Sequence, residues 1–384
     1  MIARNIAETC RRLWGLYPIL TVTGPRQSGK TTLVKDLFKD CEYVNLEQPD
    51  IRDEAIADAR GFLARHPAPA IFDEVQNTPE LVRYLQVMVD EMGGVSHYVL
   101  TGSHQPALQE VVSQSLAGRT GLVELLPLSI SELKSAGYAK TRDQWMFDGF
   151  MPRLYVSKLT PTQLFADYFK TYVERDVRRL VNVKDLILFE RFVTLLAGRV
   201  GQIVSFSALA GETGVSATTI ANWISILEAS FLIFRLPPHF NNISKRLVKS
   251  PKIYFTEVGL AAYLLGIETS QQLARDPLRG NLFENLVMSE ARKQFTNRGR
   301  DPRMEFYRTE KGFEIDLILG RGANVRPIEV KSAQTFDKSF ARNLATYAES
   351  DAMSVSPMLV YDGEPIESFG PAGVAVSNFR AVEW

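Results

Sequence analysis

The chain has 384 residues, 45% of them hydrophobic and 23% charged. This is ordinary globular usage over two or three typical domain lengths, which excludes one small domain and wholesale disorder. Lys plus Arg and Asp plus Glu number 44 each, so the formal charge is zero. A histone-like or acidic-tail protein is thereby excluded, and attraction to nucleic acid must come from local patches. Cys10 and Cys41 form no CxxC pair and there are only four histidines, which supports neither a disulfide framework nor a zinc site. Glu8, Arg11 and Arg12 stand where a secretory apolar segment would lie, and no uncharged run approaches about 18 residues. A soluble protein of a reducing cytoplasm, with no membrane partner, is expected.

Taken in chain order, residues 1–130 alternate short apolar runs with helical stretches, the pattern of a parallel α/β domain. Strands are expected at Pro18 to Thr23, Glu42 to Leu46, Pro69 to Asp73, His97 to Thr101 and Leu122 to Leu126, with helices at Thr31 to Phe38 and Glu80 to Met92. Residues 131–275 carry helical periodicity at Gln163 to Leu180, Leu186 to Val200 and Thr218 to Leu232. Within this region the run SFSALAGETGVSATTIANWISILEASFLIFRL reads as a helix, a turn containing Gly211 and Gly214, and a second helix with apolar Ile220, Trp223, Ile224 and Leu227, which resembles a helix-turn-helix, and Phe231 to Leu236 with Lys252 to Phe255 would supply a β-wing. Residues 276–384 read as a second α/β domain: a helix at Leu282 to Phe295, then strands at Met304 to Arg308, Glu314 to Leu319, Arg326 to Lys331 and Met358 to Tyr361. The GRGANVR run between two of these reads as a loop or hairpin turn.

Gly24-Pro25-Arg26-Gln27-Ser28-Gly29-Lys30-Thr31-Thr32 matches GxxxxGK[ST] between an apolar strand and a helical run. Backbone N–H groups in such a loop, with the helix N-terminus behind them, form a nest for a phosphate chain. Lys30 would reach the β- and γ-phosphates of ATP, and Thr31 would bind Mg²⁺. Further on, Ala70-Ile71-Phe72-Asp73-Glu74 is an apolar strand ending in two acids: Asp73 suits the magnesium and Glu74 the attacking water. Ser103, at the end of the following strand, is a candidate γ-phosphate or water contact.

The runs GPRQSGKTT, IFDEVQ, VLTGSHQ, SLAGRTGLVELLPLS, YVERDV and SPKIYFTEVGLAAYLLG together resemble a prokaryotic group of AAA+-type ATPases with a further C-terminal region. The resemblance spans almost the whole chain. It implies a P-loop sheet of order 5-1-4-3-2, a sensor-like Ser103, and Arg119 as an arginine finger acting on a neighbouring subunit, with Arg153 and Arg175 as alternatives. A surface ion pair is the competing reading of Arg119. A finger acting in trans implies a homo-oligomeric ring, such as a hexamer.

In the C-terminal segment, Glu284 on a helix, Asp316 on a strand, and Glu329 and Lys331 on the next strand follow the layout of the restriction-endonuclease-like, PD-(D/E)xK nuclease fold. Strand period two sets Glu329 and Lys331 on one face, where both meet Asp316. Such carboxylates hold Mg²⁺ and the lysine assists the attacking water; a cross-strand salt bridge is the plainer alternative. Between Arg235 and Thr256 lie five basic residues, Arg235, Lys245, Arg246, Lys249 and Lys252, and no acid. From Arg292 to Lys311 seven basic residues face three acids. Both stretches suit DNA backbone contacts or, alternatively, solvated loops or a subunit contact. The expectation is an ATP-hydrolysing machine acting on DNA in recombination, repair, branch migration or defence. The alternatives are a nucleotide-dependent switch or scaffold with a protein partner, and an ATP-gated nuclease.

Overall fold

The computed structural model describes residues 2–103, 115–171, 186–239, 250–321, 324–350 and 354–384. The N-terminal sheet consists of five parallel strands, β1 (Ile19–Gly24), β2 (Glu42–Asn45), β3 (Ala70–Asp73), β4 (Tyr98–Ser103) and β5 (Thr120–Glu124). Their order is β2-β3-β4-β1-β5, which read from the other edge is 5-1-4-3-2. β1 is buried along its whole length, as a parallel strand covered on both faces must be. Its alternating side chains enter two cores. Ile19 packs with Phe72, Leu85 and Tyr98, while Leu20 and Val22 pack with Cys10, Val34 and Val99.

β5 begins two residues before the expected Leu122, because Thr120 pairs with Ile19 and its hydroxyl bonds that of Thr21 at 2.8 Å. A polar residue is thus accommodated inside the sheet. Three short helices, Ala7–Trp14, Pro49–Ala57 and Ala59–Arg65, lie outside the expected set.

Residues 131–275 are mainly helical. The helix expected from Gln163 to Leu180 is Pro161–Tyr168 among the described residues, and positions 172–185 lie outside them. Helices Phe206–Thr213 and Ala217–Ala229 meet at Gly214, whose φ of 78° ends the first, and Ser216 caps the second by accepting from Thr219 N. The second helix stops before the expected Leu232 because Phe231 takes φ 56° and turns the chain into β6 (Ile233–Leu236). β6 pairs antiparallel with β7 (Lys252–Phe255). Trp223 anchors the pair of helices, its ring 5.2 Å from both Phe189 and Phe192.

The C-terminal segment opens with helix Arg279–Asn297 and builds a mixed sheet from β8 (Met304–Arg308), β9 (Glu314–Arg321), β10 (Asn324–Lys331), β11 (Ser354–Val355), β12 (Met358–Tyr361), β13 (Ile366–Phe369) and β14 (Val374–Asn378). The order is β13-β14-β12-β10-β9-β8, with β11 beside β10. β8, β9 and β10 are antiparallel neighbours, and β12 and β14 continue the sheet parallel to β10. One hydrophobic cluster runs from Leu128 through Trp223 and Phe283 to Val382. The helical region and the C-terminal sheet therefore share a core. Among the described residues no helix is long and apolar enough to cross a membrane.

The five-stranded parallel sheet joins this core through a buried polar seam. Lys293 Nζ donates to Leu128 O and to Glu290 Oε1, both at 2.8 Å, and Glu290 Oε2 accepts from Ile130 N at 2.9 Å. The Lys293 ammonium also lies 3.9 Å from the Phe150 ring centre. Beside it the Glu257 carboxylate accepts from Phe150 N at 3.0 Å, and burial pushes its pKa up to about 7. Breaking one partner of such a buried pair leaves an uncompensated charge. Lys293→Met is expected to cost about 3–5 kcal/mol in urea unfolding, and the double change Glu290→Leu with Lys293→Met to cost less than the single one.

Candidate active site and the C-terminal acid cluster

At the carboxyl end of β1 the chain turns sharply at Gly24, with φ 146°; a Cβ there would sit 2.3 Å from Leu125 O. Gln27 and Gly29 also take positive φ, 62° and 94°, curling residues 24–30 into a loop that opens helix Lys30–Leu37. Lys30 is 5% exposed, and its Nζ donates to Gly24 O at 3.1 Å and Pro25 O at 2.9 Å. The lysine thus bends back over its own loop. Burial lowers its pKa to about 8, with Glu74 and Asp73 pulling the other way. Ser28 Oγ is buried without a hydrogen-bond partner, an unmet donor inside the loop that suits a phosphate oxygen.

Asp73, 4% exposed at the end of β3, gathers hydroxyls from three other elements. Thr31 Oγ1 donates to its Oδ2 at 2.9 Å, Tyr43 from β2 donates to the same oxygen at 2.7 Å, and Thr101 from β4 bonds Oδ1. Thr31 and Asp73, the two residues expected to hold magnesium, are thus in direct hydrogen-bond contact. Glu74 follows in the left-handed region at φ 59°, its N–H donating to Thr101 Oγ1 at 3.3 Å and its carboxylate bonded by Gln76. A non-glycine residue held in that region next to a phosphate loop stores strain of the kind found at functional sites.

The pocket above the loop, about 480 Å³, is lined by Arg26, Gln27, Gly29, Lys30, Thr31, Thr32, Glu47 and Glu74, and from the helical region by Pro152, Arg153, Val156 and Thr171. Arg153, one of the alternatives for a finger, thus faces the pocket of its own chain. Arg119 does not. It precedes β5 at the opposite end of the sheet and forms a two-pronged pair with Asp90 at 2.6 and 2.7 Å. Ser103 ends β4, and its side chain lies outside what the structure describes; the hydroxyl of Thr101, two positions earlier on the strand, meets Asp73. Arg175 lies outside the described residues. Tyr43 and Thr101 escaped the sequence reading because nothing in their local pattern distinguishes a strand hydroxyl aimed at an acid from an ordinary one.

The second constellation does assemble. β9 and β10 pair Leu317 with Ile328, which sets Asp316 and Glu329 across from each other in the next step of the ladder. Asp316 Oδ2 accepts from Val330 N at 2.9 Å, and Lys331 Nζ donates to Glu329 Oε1 at 2.6 Å. Glu284 projects from its helix to the same place, where Tyr254 OH donates to its Oε1 at 2.6 Å. Burial pushes Glu284 up to about 7 and, together with Asp316, Glu329 up to about 8.

One expectation is overturned here. Lys252, read as a DNA contact on a wing, is 2% exposed and enters this cluster, 2.9 Å from Glu284 Oε1 and 2.6 Å from Glu314 Oε1. Burial would lower its pKa, but Tyr254, Glu284, Asp316 and Glu314 together outweigh burial and hold it well above the ordinary value. Half-buried acids from other elements captured a lysine that looked exposed beside its basic neighbours. Arg235 is likewise engaged, with Glu228. Lys245, Arg246 and Lys249 lie outside the described residues. Of the stretch from Arg292 to Lys311, Arg292 pairs with Glu124, Lys293 with Glu290 and Arg308 with Glu314, whereas Arg298, Arg300, Arg303 and Lys311 are exposed.

The buried lysine gives a pH prediction for the phosphate loop. Anionic phosphates favour charged Lys30, so binding above pH 8 must be accompanied by proton uptake. Affinity for a fluorescent ATP analogue is expected to be flat from pH 6.5 to 7.5 and to weaken above about 8, by up to tenfold per pH unit. In Lys30→Met this slope should vanish together with most of the affinity.

Comparison with known proteins agrees with the loop geometry. Residues 16–134 match the family described as AAA domain, residues 139–271 the domain of unknown function DUF8612, and residues 279–380 the domain of unknown function DUF4143. The chain is 30% identical over 363 residues to the uncharacterized protein Rv2008c of Mycobacterium tuberculosis, covering 94% of this chain and 80% of that one. An uncharacterized protein of Haemophilus influenzae is 22% identical over 308 residues, 71% of this chain and 74% of the relative. Among solved structures, the Walker-type ATPase paby2304 of Pyrococcus abyssi aligns with a TM-score of 0.41 at 14% identity, over 69% of this chain and 96% of that one. The chain belongs to the family of the mycobacterial protein Rv2008c, and its N-terminal part is a P-loop ATPase domain of the AAA kind.

Proposed function

We propose that this protein binds and hydrolyses ATP at the loop 24–32 and reports the state of that site to its helical region through Arg153. The observation that carries the reading is the shared pocket: Lys30, Thr31 and Glu74 from the sheet and Arg153 from the helical region line one cavity. Thr31 and Asp73 would hold a magnesium ion, which would supply charge neutralisation for the phosphates. Lys30 exchanges its bonds to Gly24 O and Pro25 O for phosphate oxygens, and Ser28 Oγ gains its missing partner. Glu74, kept at the pocket edge by Gln76 and Thr101, orients and accepts a proton from the attacking water. Arg153 pairs with the terminal phosphate, so hydrolysis releases the short helix Pro152–Val156 that carries it. That helix follows Phe150, which touches Lys293 and Glu257, so the release is delivered to the seam with the C-terminal segment. This is an ATP-driven conformational cycle.

In this reading Arg119 serves only another subunit, after leaving Asp90, and the active species is a homo-oligomeric ring of a cytoplasmic protein. DNA as the substrate is the second reading. It is favoured by the arrangement of helices Phe206–Thr213 and Ala217–Ala229 with the β6–β7 pair, which resembles a winged helix. Three exposed positions of the second helix, Thr218, Asn222 and Ser225, are small and polar. The restriction-endonuclease-like reading of the C-terminal sheet belongs to the same proposal as a fold and not as an activity.

ATP turnover by the purified protein tests the first reading. Glu74→Gln is expected to keep nucleotide binding and lose about 10²–10⁴-fold in rate, and Arg153→Ala to lose about 10³-fold; turnover unchanged in both variants contradicts the proposal. For the second reading, duplex DNA is expected to raise the rate at low salt and to lose the effect as salt rises. An ATPase rate indifferent to single-stranded, duplex and branched DNA rejects DNA as the substrate.

A further inference from the structure

The acid cluster on β9, β10 and helix Arg279–Asn297 has the residue types of a divalent-cation site, yet its geometry belongs to a different occupant. Three carboxylates surround one point in the protein: Glu284, Glu314 and Asp316. That point is Lys252 Nζ, at 2.9, 2.6 and 3.9 Å from their nearest oxygens. The first two are charge-assisted hydrogen bonds. Magnesium or calcium would require oxygens at about 2.0–2.6 Å, and among the described residues no group of three or more His, Cys, Asp or Glu is set to hold a metal ion. The carboxylates are spaced for an ammonium.

The cations of the cluster are each held by its acids: Lys252 meets Glu284 and Glu314, Arg308 meets Glu314, and Lys331 meets Glu329, which is 4% exposed and whose Oε2 lacks a hydrogen-bond partner. A cation entering the cluster would have that unmet oxygen to bind. Lys252 does not come from the C-terminal sheet. It opens β7, pairs there with Leu236, and reaches across the shared core, so it is the helical region that fills the pocket.

We propose that Lys252 is a built-in cation occupying the place of a divalent metal, and that the C-terminal acid pocket is closed to metal ions while β7 is seated. In this state the segment is a binding or coupling module and not a nuclease. Access of Mg²⁺ or Mn²⁺ to Asp316 requires withdrawal of the lysine. The inference stands apart from the ATPase reading, because it involves no residue of the phosphate loop.

The test uses the full chain, stripped of metal and free of nucleotide, with Mn²⁺ as the probe. Wild type and Asp316→Asn are expected to give the same Mn²⁺ titration by calorimetry, since any weak binding at the phosphate loop is common to both. Lys252→Met should melt below wild type, and Mn²⁺ should raise its melting temperature by several degrees, a shift absent in wild type and abolished in Lys252→Met with Asp316→Asn. Wild-type Mn²⁺ binding that disappears in Asp316→Asn overturns the proposal, as does a folded Lys252→Met protein indifferent to Mn²⁺. If Lys252→Met yields no folded protein, the comparison of wild type with Asp316→Asn decides alone: equal titrations support the closed pocket and unequal ones refute it.

Discussion

The buried carboxylate of Asp73 is the constraint around which the N-terminal domain is arranged. It ends β3 inside the sheet, where an ionised group is tolerated only if its lone pairs are engaged. Thr31, Tyr43 and Thr101 engage them from the phosphate-loop helix, β2 and β4. The order β2-β3-β4-β1-β5 is what makes this possible, since it sets β3 between the two strands that supply Tyr43 and Thr101. The loop after β1 opens at the same edge and brings Lys30 beside the carboxylate. A phosphate chain and its cation would enter a site whose polar groups are already oriented.

A second constraint determines how far a change at that site travels. The pocket wall contributed by Pro152, Arg153 and Val156 lies next in sequence to Phe150 and Met151, which are packed in the large shared core. Phe150 meets Lys293 and Glu257, and Lys293 holds the carbonyl of Leu128 at the exit from the sheet. Close approach enforces the contact: Gly149 and Gly259 have no room for a Cβ, which would fall within 2.3 Å of Glu257 and 2.5 Å of Phe165. The pocket wall is therefore attached to a rigid body through a dense joint, and motion of one implies motion of the other.

Much of this was legible in the sequence. The GxxxxGK[ST] run, the acid pair ending β3 and the alternation of apolar strands with helices depend on local patterns, and local patterns survive in one dimension. The Asp316, Glu329 and Lys331 set was readable for the same reason, since strand period two fixes which side chains share a face. What failed was partner choice. Lys252 looked like one of five cations of a DNA-contacting wing, but its partners Glu284 and Glu314 come from elements brought near only by folding. Tyr43, Thr101 and the cis position of Arg153 are long-range facts of the same kind. β13 and β14 went unread because the runs Ile366–Phe369 and Val374–Asn378 are short and interrupted by polar residues.

The central claim is that residues 24–32 grip the phosphates of ATP with Asp73 beside them. A crystal structure with magnesium and a non-hydrolysable ATP analogue tests it most directly. The account predicts that Lys30 Nζ leaves Gly24 O and Pro25 O for the phosphates, that Thr31 turns from Asp73 to the magnesium, that Ser28 Oγ acquires a partner, and that Arg153 closes on the terminal phosphate. A structure in which those bonds persist unchanged, with the analogue elsewhere or absent at saturating concentration, would contradict it.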